Sequence, residues 1–213
     1  MSKQNFILTD VILLDIVGFS KLSNTQQYAL ISDFSKLFRK TLTIMAGGRN
    51  ISDVVLGVIP TGDGFYTILE PTQKGFGAIY ALFLKNVAKK LFAYDFYQGV
   101  KVAAHTGYLI PFVGVDGTRN FIGNGMNQCA RFLEFNAKEY LGEVPRDGYV
   151  VISSEARHSL EILLGKNEAL GRKVTALGVY LGDEVAFRDK HSNKYKGFFL
   201  DANKDAIITF PQI

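Results

Sequence analysis

The stretch that most constrains this chain is Phe6–Val17, a mostly apolar run with Asp10 and Asp15 as its acidic exceptions, delivered into the turn Gly18-Phe19-Ser20. It reads as a long strand. An apolar strand rarely carries a carboxylate unless something positive waits at its end, so Asp15 marks a place where the sheet meets charge. A second acid has a similar setting. Asp63 sits in Thr61-Gly62-Asp63-Gly64-Phe65, between the apolar runs Val54–Ile59 and Phe65–Leu69, as a hairpin turn would place it.

Between these strands, Tyr28, Ile31, Phe34, Phe38, Leu42 and Met45 recur at helical spacing and predict a helix over Asn24–Ala46. Ser23 or Asn24 can cap it, and Gly47-Gly48 stops it. A second helix is expected from about Thr72 to Ala93, followed by a strand over Gly99–Leu109 that carries His105. The order strand, helix, strand, strand, helix, strand predicts an α+β fold with a ferredoxin-like βαββαβ core. Asp15 and Asp63 converge in such a fold. A C-terminal extension follows: the loop Gly114–Gly117, a helix over Asn124–Asn136, a strand over Tyr149–Ser153, a helix over Ser154–Leu164, and a strand pair from Val174 to Leu200. No repeat or linker divides residues 1–213, so a single domain is expected.

The bulk numbers exclude several classes. A hydrophobic fraction of 47% with 21% charged residues is ordinary for a soluble domain. The formal charge of +4 is spread along the chain and forms no basic stripe, which argues against nucleic acid and suits a small polyanionic substrate. One cysteine, Cys129, permits no internal disulfide and fits a cytoplasmic location. No window approaches the run of about 20 apolar residues that a membrane span needs, and the N-terminal segment lacks a signal-peptide pattern.

Two strand-end acids that meet can hold magnesium or manganese, which take one or two protein carboxylates and fill the remaining positions with water and phosphate oxygens. The blander reading makes each a helix cap or a lysine partner. Val17-Gly18-Phe19-Ser20 opens towards a helix start, where main-chain N–H groups favour an anion. In Asn120–Arg131, Asn124 is expected to cap a helix that carries Asn127 and Arg131 four apart on one face. His105, Cys129, Tyr94, Phe96 and Tyr97 read as packing residues.

These segments resemble the class III nucleotidyl cyclases, which use a D-[IV]-x-G-F-[ST] strand end, a G-D-[GS] hairpin and a segment like D-Y-I-G-D-x-V-N-x-A-A-R. The chain offers Asp15-Ile16-Val17-Gly18-Phe19-Ser20, Gly62-Asp63-Gly64, His105-Thr106-Gly107 and Asn120 through Arg131, in the same order. The resemblance implies that Asp15 and Asp63, with the carbonyl of Ile16, bind two divalent ions, Mn2+ or Mg2+. It implies that Val17, Gly18, Phe19 and Ser20 lie against the phosphates, that Asn127 positions the ribose, and that Arg131 neutralises charge at the α-phosphate. A late lysine, Lys194 or Lys196, would contact the triphosphate. It further implies a homodimer whose two active sites are shared between subunits.

The departures concern the base. Purine-specific members read it with a polar pair, in adenylyl cyclases a lysine four residues before the hairpin acid and an aspartate opening the later segment. Here those positions hold Ile59 and Asn120. A cyclase domain without that pair resembles the pyrimidine cyclases of bacterial anti-phage signalling, the Pycsar type, whose cyclic UMP or cyclic CMP is read by a separate effector. The expected activity is therefore conversion of UTP or CTP to the 3′,5′-cyclic nucleotide and pyrophosphate. The alternatives are an adenylyl cyclase with atypical base contacts and a degenerate domain that binds nucleotide without turnover.

Overall fold

A computed structural model describes residues 5–189 and 192–203. Strand β1 (Ile7–Ile16) leads through a single 3-10 turn, Phe19–Lys21, into α1 (Asn24–Ala46). Strands β2 (Val55–Pro60) and β3 (Gly64–Leu69) form a hairpin, and α2 (Gly77–Ala88) returns the chain to β4 (Val100–Val113). The sheet order β2-β3-β1-β4 puts β1 between two antiparallel neighbours, which is the ferredoxin-like arrangement. The extension contains β5 (Arg119–Ile122), α3 (Asn124–Glu134), α4 (Lys138–Leu141), β6 (Tyr149–Ser153), α5 (Ser154–Lys166), α6 (Glu168–Ala176), β7 (Val179–Arg188) and β8 (Lys194–Ala202). Strands β6, β8 and β7 continue the sheet beyond β4, while β5 folds back on the far end of β4.

Alternation along β1 decides what each face sees. Ile12, Leu14 and Ile16 pack against Leu30, Phe34 and Phe38 of α1 and Tyr80 and Phe83 of α2. Val11 and Leu13 point the other way, into a second cluster with Cys129, Phe132 and Leu133 of α3. Asp15 shares the α3 face by the same period. Helix α3 docks closely because Gly107 and Gly125 meet: a Cβ on Gly107 would lie 2.7 Å from the Gly125 Cα. Cys129 sits there fully buried, its Sγ 3.4 Å from the Val11 carbonyl, and burial pushes its thiol pKa up. Asp10 braces the opposite face. Its carboxylate accepts from the N–H groups of Gly75 and Gly77 and from the Thr106 hydroxyl, at 2.6–2.8 Å.

Several boundaries differ from expectation for identifiable reasons. Helix α2 begins at Gly77 and not near Thr72, because Gly75 adopts φ +99° and the chain enters the helix only after that turn. Helix α1 has the expected Ser23 cap, closed reciprocally by Gln26, but Tyr28 on its first turns is 74% exposed. The residue before α3 is Gly123, not Asn124, and Asn124 makes no side-chain cap. Val174 belongs to α6, capped by Asn167, and the last strand pair starts at Val179 after Gly178 turns the chain at φ +63°.

His105 lies in β4 at 2% exposure, stacked on Phe132, with Nδ1 2.9 Å from the Ser153 hydroxyl and 3.6 Å from Glu155. Burial lowers its pKa, and Glu155 opposes that only in part. The folded state therefore prefers the neutral ring, whereas the unfolded chain takes up the proton near pH 6.5. Its contribution to stability is complete above that pH and is lost as pH falls through the lower folded value. The urea midpoint should drop between about pH 7.5 and about pH 5.5, and His105→Gln should flatten that dependence. An unchanged slope in the variant would assign the acid sensitivity to another group.

Candidate active site

The end of β1 and the β2–β3 turn are joined by main chain. Asp15 lies opposite Gly64 in the β1–β3 register, and the N–H of Ile16 donates to the Asp63 carbonyl at 3.1 Å. Gly64 is required where the hairpin crosses β1, since a Cβ there would strike the Leu14 carbonyl. Gly62 turns the chain at φ +98°, and the Thr61 N–H closes the hairpin on the Gly64 carbonyl at 3.0 Å. Asp15 and Asp63 are thus held as neighbours by backbone geometry, both half-buried.

A third residue completes this cluster. The β1–β4 register sets Lys101 opposite Asp15, and its Nζ lies 2.7 Å from Asp15 Oδ2. Its position at the start of an otherwise apolar strand was the available sequence signal. Burial holds the Asp15 carboxyl above its ordinary value, Lys101 pulls it back, and Asp63 adds to the rise. Among the described residues no group of three or more His, Cys, Asp and Glu side chains gathers to hold a metal. What the chain can supply is two carboxylates with the Ile16 carbonyl between them in sequence. Hard oxygen donors of this kind suit Mg2+ or Mn2+ with other ligands coming from water and substrate. The Lys101 ammonium already stands where positive charge is favoured, so the donor set fits such an ion.

Val17–Ser20 follows directly. The Val17 N–H donates to the Gly99 carbonyl at 3.0 Å, and Gly18, at φ +70°, opens the 3-10 turn. The first amides of α1 do not face this turn freely. Gln26 N–H is taken by Ser23 Oγ, and the Gln27 side chain donates to the carbonyls of Phe19 and Leu22 at 3.1 Å. Any anion contact here belongs to the Gly18–Ser20 turn and not to the start of α1.

The remaining predicted residues lie elsewhere. Asn127 is exposed on the outer face of α3, a half-turn around from Cys129, which faces the sheet. Arg131 shares that outer side and is held by Glu134 and, at 3.7 Å from Nε, by Asp189. Neither residue meets Asp15 or Asp63 within this chain. Ile59, on β2 opposite Tyr66, packs on the α3-face cluster. Asn120 is on β5, its Oδ1 accepting from the Phe121 N–H at 2.8 Å, and the Phe121 ring lies over Gly57 of β2. The two residues proposed to face the base therefore come from adjoining strands. Lys194 and Lys196 alternate with Tyr195, which contacts Phe132, so they point to the other side of β8 from α3. Lys196 is paired with Glu184 at 2.8 Å, and the structure does not bring either lysine to Arg131.

The hairpin of β4 and β5 also exposes Tyr108, Phe112, Val113, Val115 and Ile122 as apolar surface. Among the described residues no helix is long and apolar enough to cross a membrane.

No family model matches the chain, and no curated protein matches it. Solved structures do. The guanylyl cyclase Cya2 superposes with a TM-score of 0.61 at 12% identity, covering 97% of this chain and 98% of that one. The guanylate cyclase domain of RhGC from Catenaria anguillulae, in complex with GTP, gives 0.55 at 15% identity, covering 94% of this chain and 100% of that one. An adenylate/guanylate cyclase/hydrolase from Silicibacter pomeroyi gives 0.52 at 16% identity over 93% and 99%. The likeness is one of fold: a mixed α+β architecture with one large sheet, as in class III nucleotidyl cyclase catalytic domains.

Proposed function

We propose that this chain is a nucleotidyl cyclase acting on a pyrimidine nucleoside triphosphate, with active sites completed by a second copy. The observation that carries the reading is the division of the motif residues. Asp15 and Asp63 are locked together at one end of the sheet, whereas Asn127 and Arg131 face outwards from α3 and do not reach them. A second copy related by a two-fold axis would offer its outer α3 face to the first copy's acids. The apolar surface of the β4–β5 hairpin supplies area for such a contact.

Two divalent cations, when bound at Asp15, Asp63 and the Ile16 carbonyl, supply positive charge to the reacting phosphate. The Gly18–Ser20 turn lies where the rest of the triphosphate arrives. Asn127 of the partner copy holds the ribose by its amide, and Arg131 of that copy offsets charge on the α-phosphate as it develops. The 3′-hydroxyl oxygen forms a bond to the α-phosphorus, the bond to the bridging oxygen breaks, pyrophosphate leaves, and the hydroxyl proton passes to solvent.

The base assignment rests on Ile59 and Asn120. Ile59 offers no hydrogen bond, and the Asn120 amide can donate and accept towards a uracil or cytosine edge. By resemblance to the anti-phage pyrimidine cyclases, the product would be read by a separate effector. A purine cyclase is the second reading, favoured by the named activities of the solved neighbours. Purified protein incubated separately with UTP, CTP, ATP and GTP plus Mn2+, with products identified by mass spectrometry, decides between them. UTP or CTP should turn over at least about tenfold faster than ATP, the scale of a lost base hydrogen bond. Preference for ATP or GTP would replace the pyrimidine reading, and no product from any of the four would leave a binding domain.

A further inference from the structure

The Asp15–Lys101 pair is built for more than holding two strands together. Lys101 stands at a fixed register position opposite Asp15, its ammonium contacts Oδ2 at 2.7 Å, and the two side chains are 29% and 22% exposed. Asp63 lies against the same carboxyl and adds negative charge. A site with two carboxylates and one ammonium is left with excess negative charge, and the exposure of the pair leaves it open to ions from solvent. An incoming Mn2+ or Mg2+ would bond a carboxylate oxygen at about 2.0–2.1 Å, which on Oδ2 would set it about 4 Å from the lysine nitrogen, close enough for the two cations to repel. Two cations cannot share that oxygen without strong repulsion.

We propose that Lys101 is a resident cation that Asp15 exchanges for a divalent metal: it neutralises the acid pair in the metal-free chain and is expelled when the metal enters. The inference rests on the metal reading of Asp15 and Asp63 but not on cyclisation. It gives Lys101 a role in setting metal affinity. The ammonium lowers that affinity by competing for Asp15, and it keeps the acid pair from repelling itself while no metal is bound. Strand β4 anchors the lysine backbone, so exchange requires only that its four-carbon stem swing away.

Two measurements test this, neither of which depends on turnover. Calorimetric titration with Mn2+ should show Lys101→Met binding about tenfold more tightly than wild type, since a competing ion pair has been removed. Lys101→Arg should keep the weaker affinity. In the wild-type protein, acetic anhydride labelling read by mass spectrometry should modify Lys101 slowly without Mn2+ and faster at saturation, which needs no variant to fold. Equal or weaker Mn2+ binding by Lys101→Met, or Lys101 labelling unchanged by Mn2+, overturns the exchange while leaving the cyclase reading in place if product still forms. Absence of Mn2+ binding in every form overturns both the exchange and the metal site.

Discussion

On the proposed reading, Asp15→Ala and Asp63→Ala should each abolish cyclic-nucleotide formation, by at least about a thousandfold, because each removes a carboxylate proposed to hold the metals. The fold should survive both changes. The Asp15–Lys101 pair is partly exposed, so its loss should move stability by no more than about 1 kcal/mol. Asp15 is also a carboxyl that burial and Asp63 hold above its ordinary value, so its charge is maintained at a cost that alanine relieves. Asp15→Asn separates the two effects, keeping the shape while removing the charge, and it should be as inactive as alanine. Product would be quantified by chromatography at saturating Mn2+ and stability by urea unfolding. Undiminished activity in both alanine variants would show that the acids are not the metal site.

The contrast between what could and could not be foreseen follows from how local each signal is. Asp15 and Asp63 were legible as neighbours because the βαββαβ order is written in hydrophobic period, and that order places β1 beside β3. Lys101 was not singled out, although the demand for a cation at the end of β1 was clear, because the partner is chosen by the β1–β4 register across 86 residues of sequence. Helix α6 was missed for a different reason: Asn167 and Gly178 bracket it, but its apolar residues Leu170 and Val174 are too few to announce a face. The outward direction of Asn127 and Arg131 followed from neither pattern nor spacing. It depends on which side of α3 meets the sheet, and Gly125 and Cys129 settle that by fitting against Gly107, Val11 and Ala103.

That outward direction makes the subunit arrangement testable by mixing. In the proposed dimer, Asp15→Ala removes the metal acid from both sites and Arg131→Ala removes the arginine from both, so each preparation alone should be inactive. If each site takes its acids from one copy and its arginine from the other, a mixed dimer carries one intact site and one site with both lesions. With equal amounts and free exchange about half the dimers are mixed, so activity should return to roughly a quarter of the wild-type rate. Restored activity should rise and fall with the fraction of mixed dimers seen by native mass spectrometry as the mixing ratio is varied. A site built within one chain predicts no recovery at any ratio. Within the chain Arg131 is held by Glu134 and Asp189, pairings that a site in either arrangement would have to break. Those two contacts must loosen for the guanidinium to reach a phosphate, so Asp189→Asn should leave the recovered rate intact or raise it, whereas adding Arg131→Ala to the Asp15→Ala partner should abolish the recovered rate, since that arginine serves the one intact site.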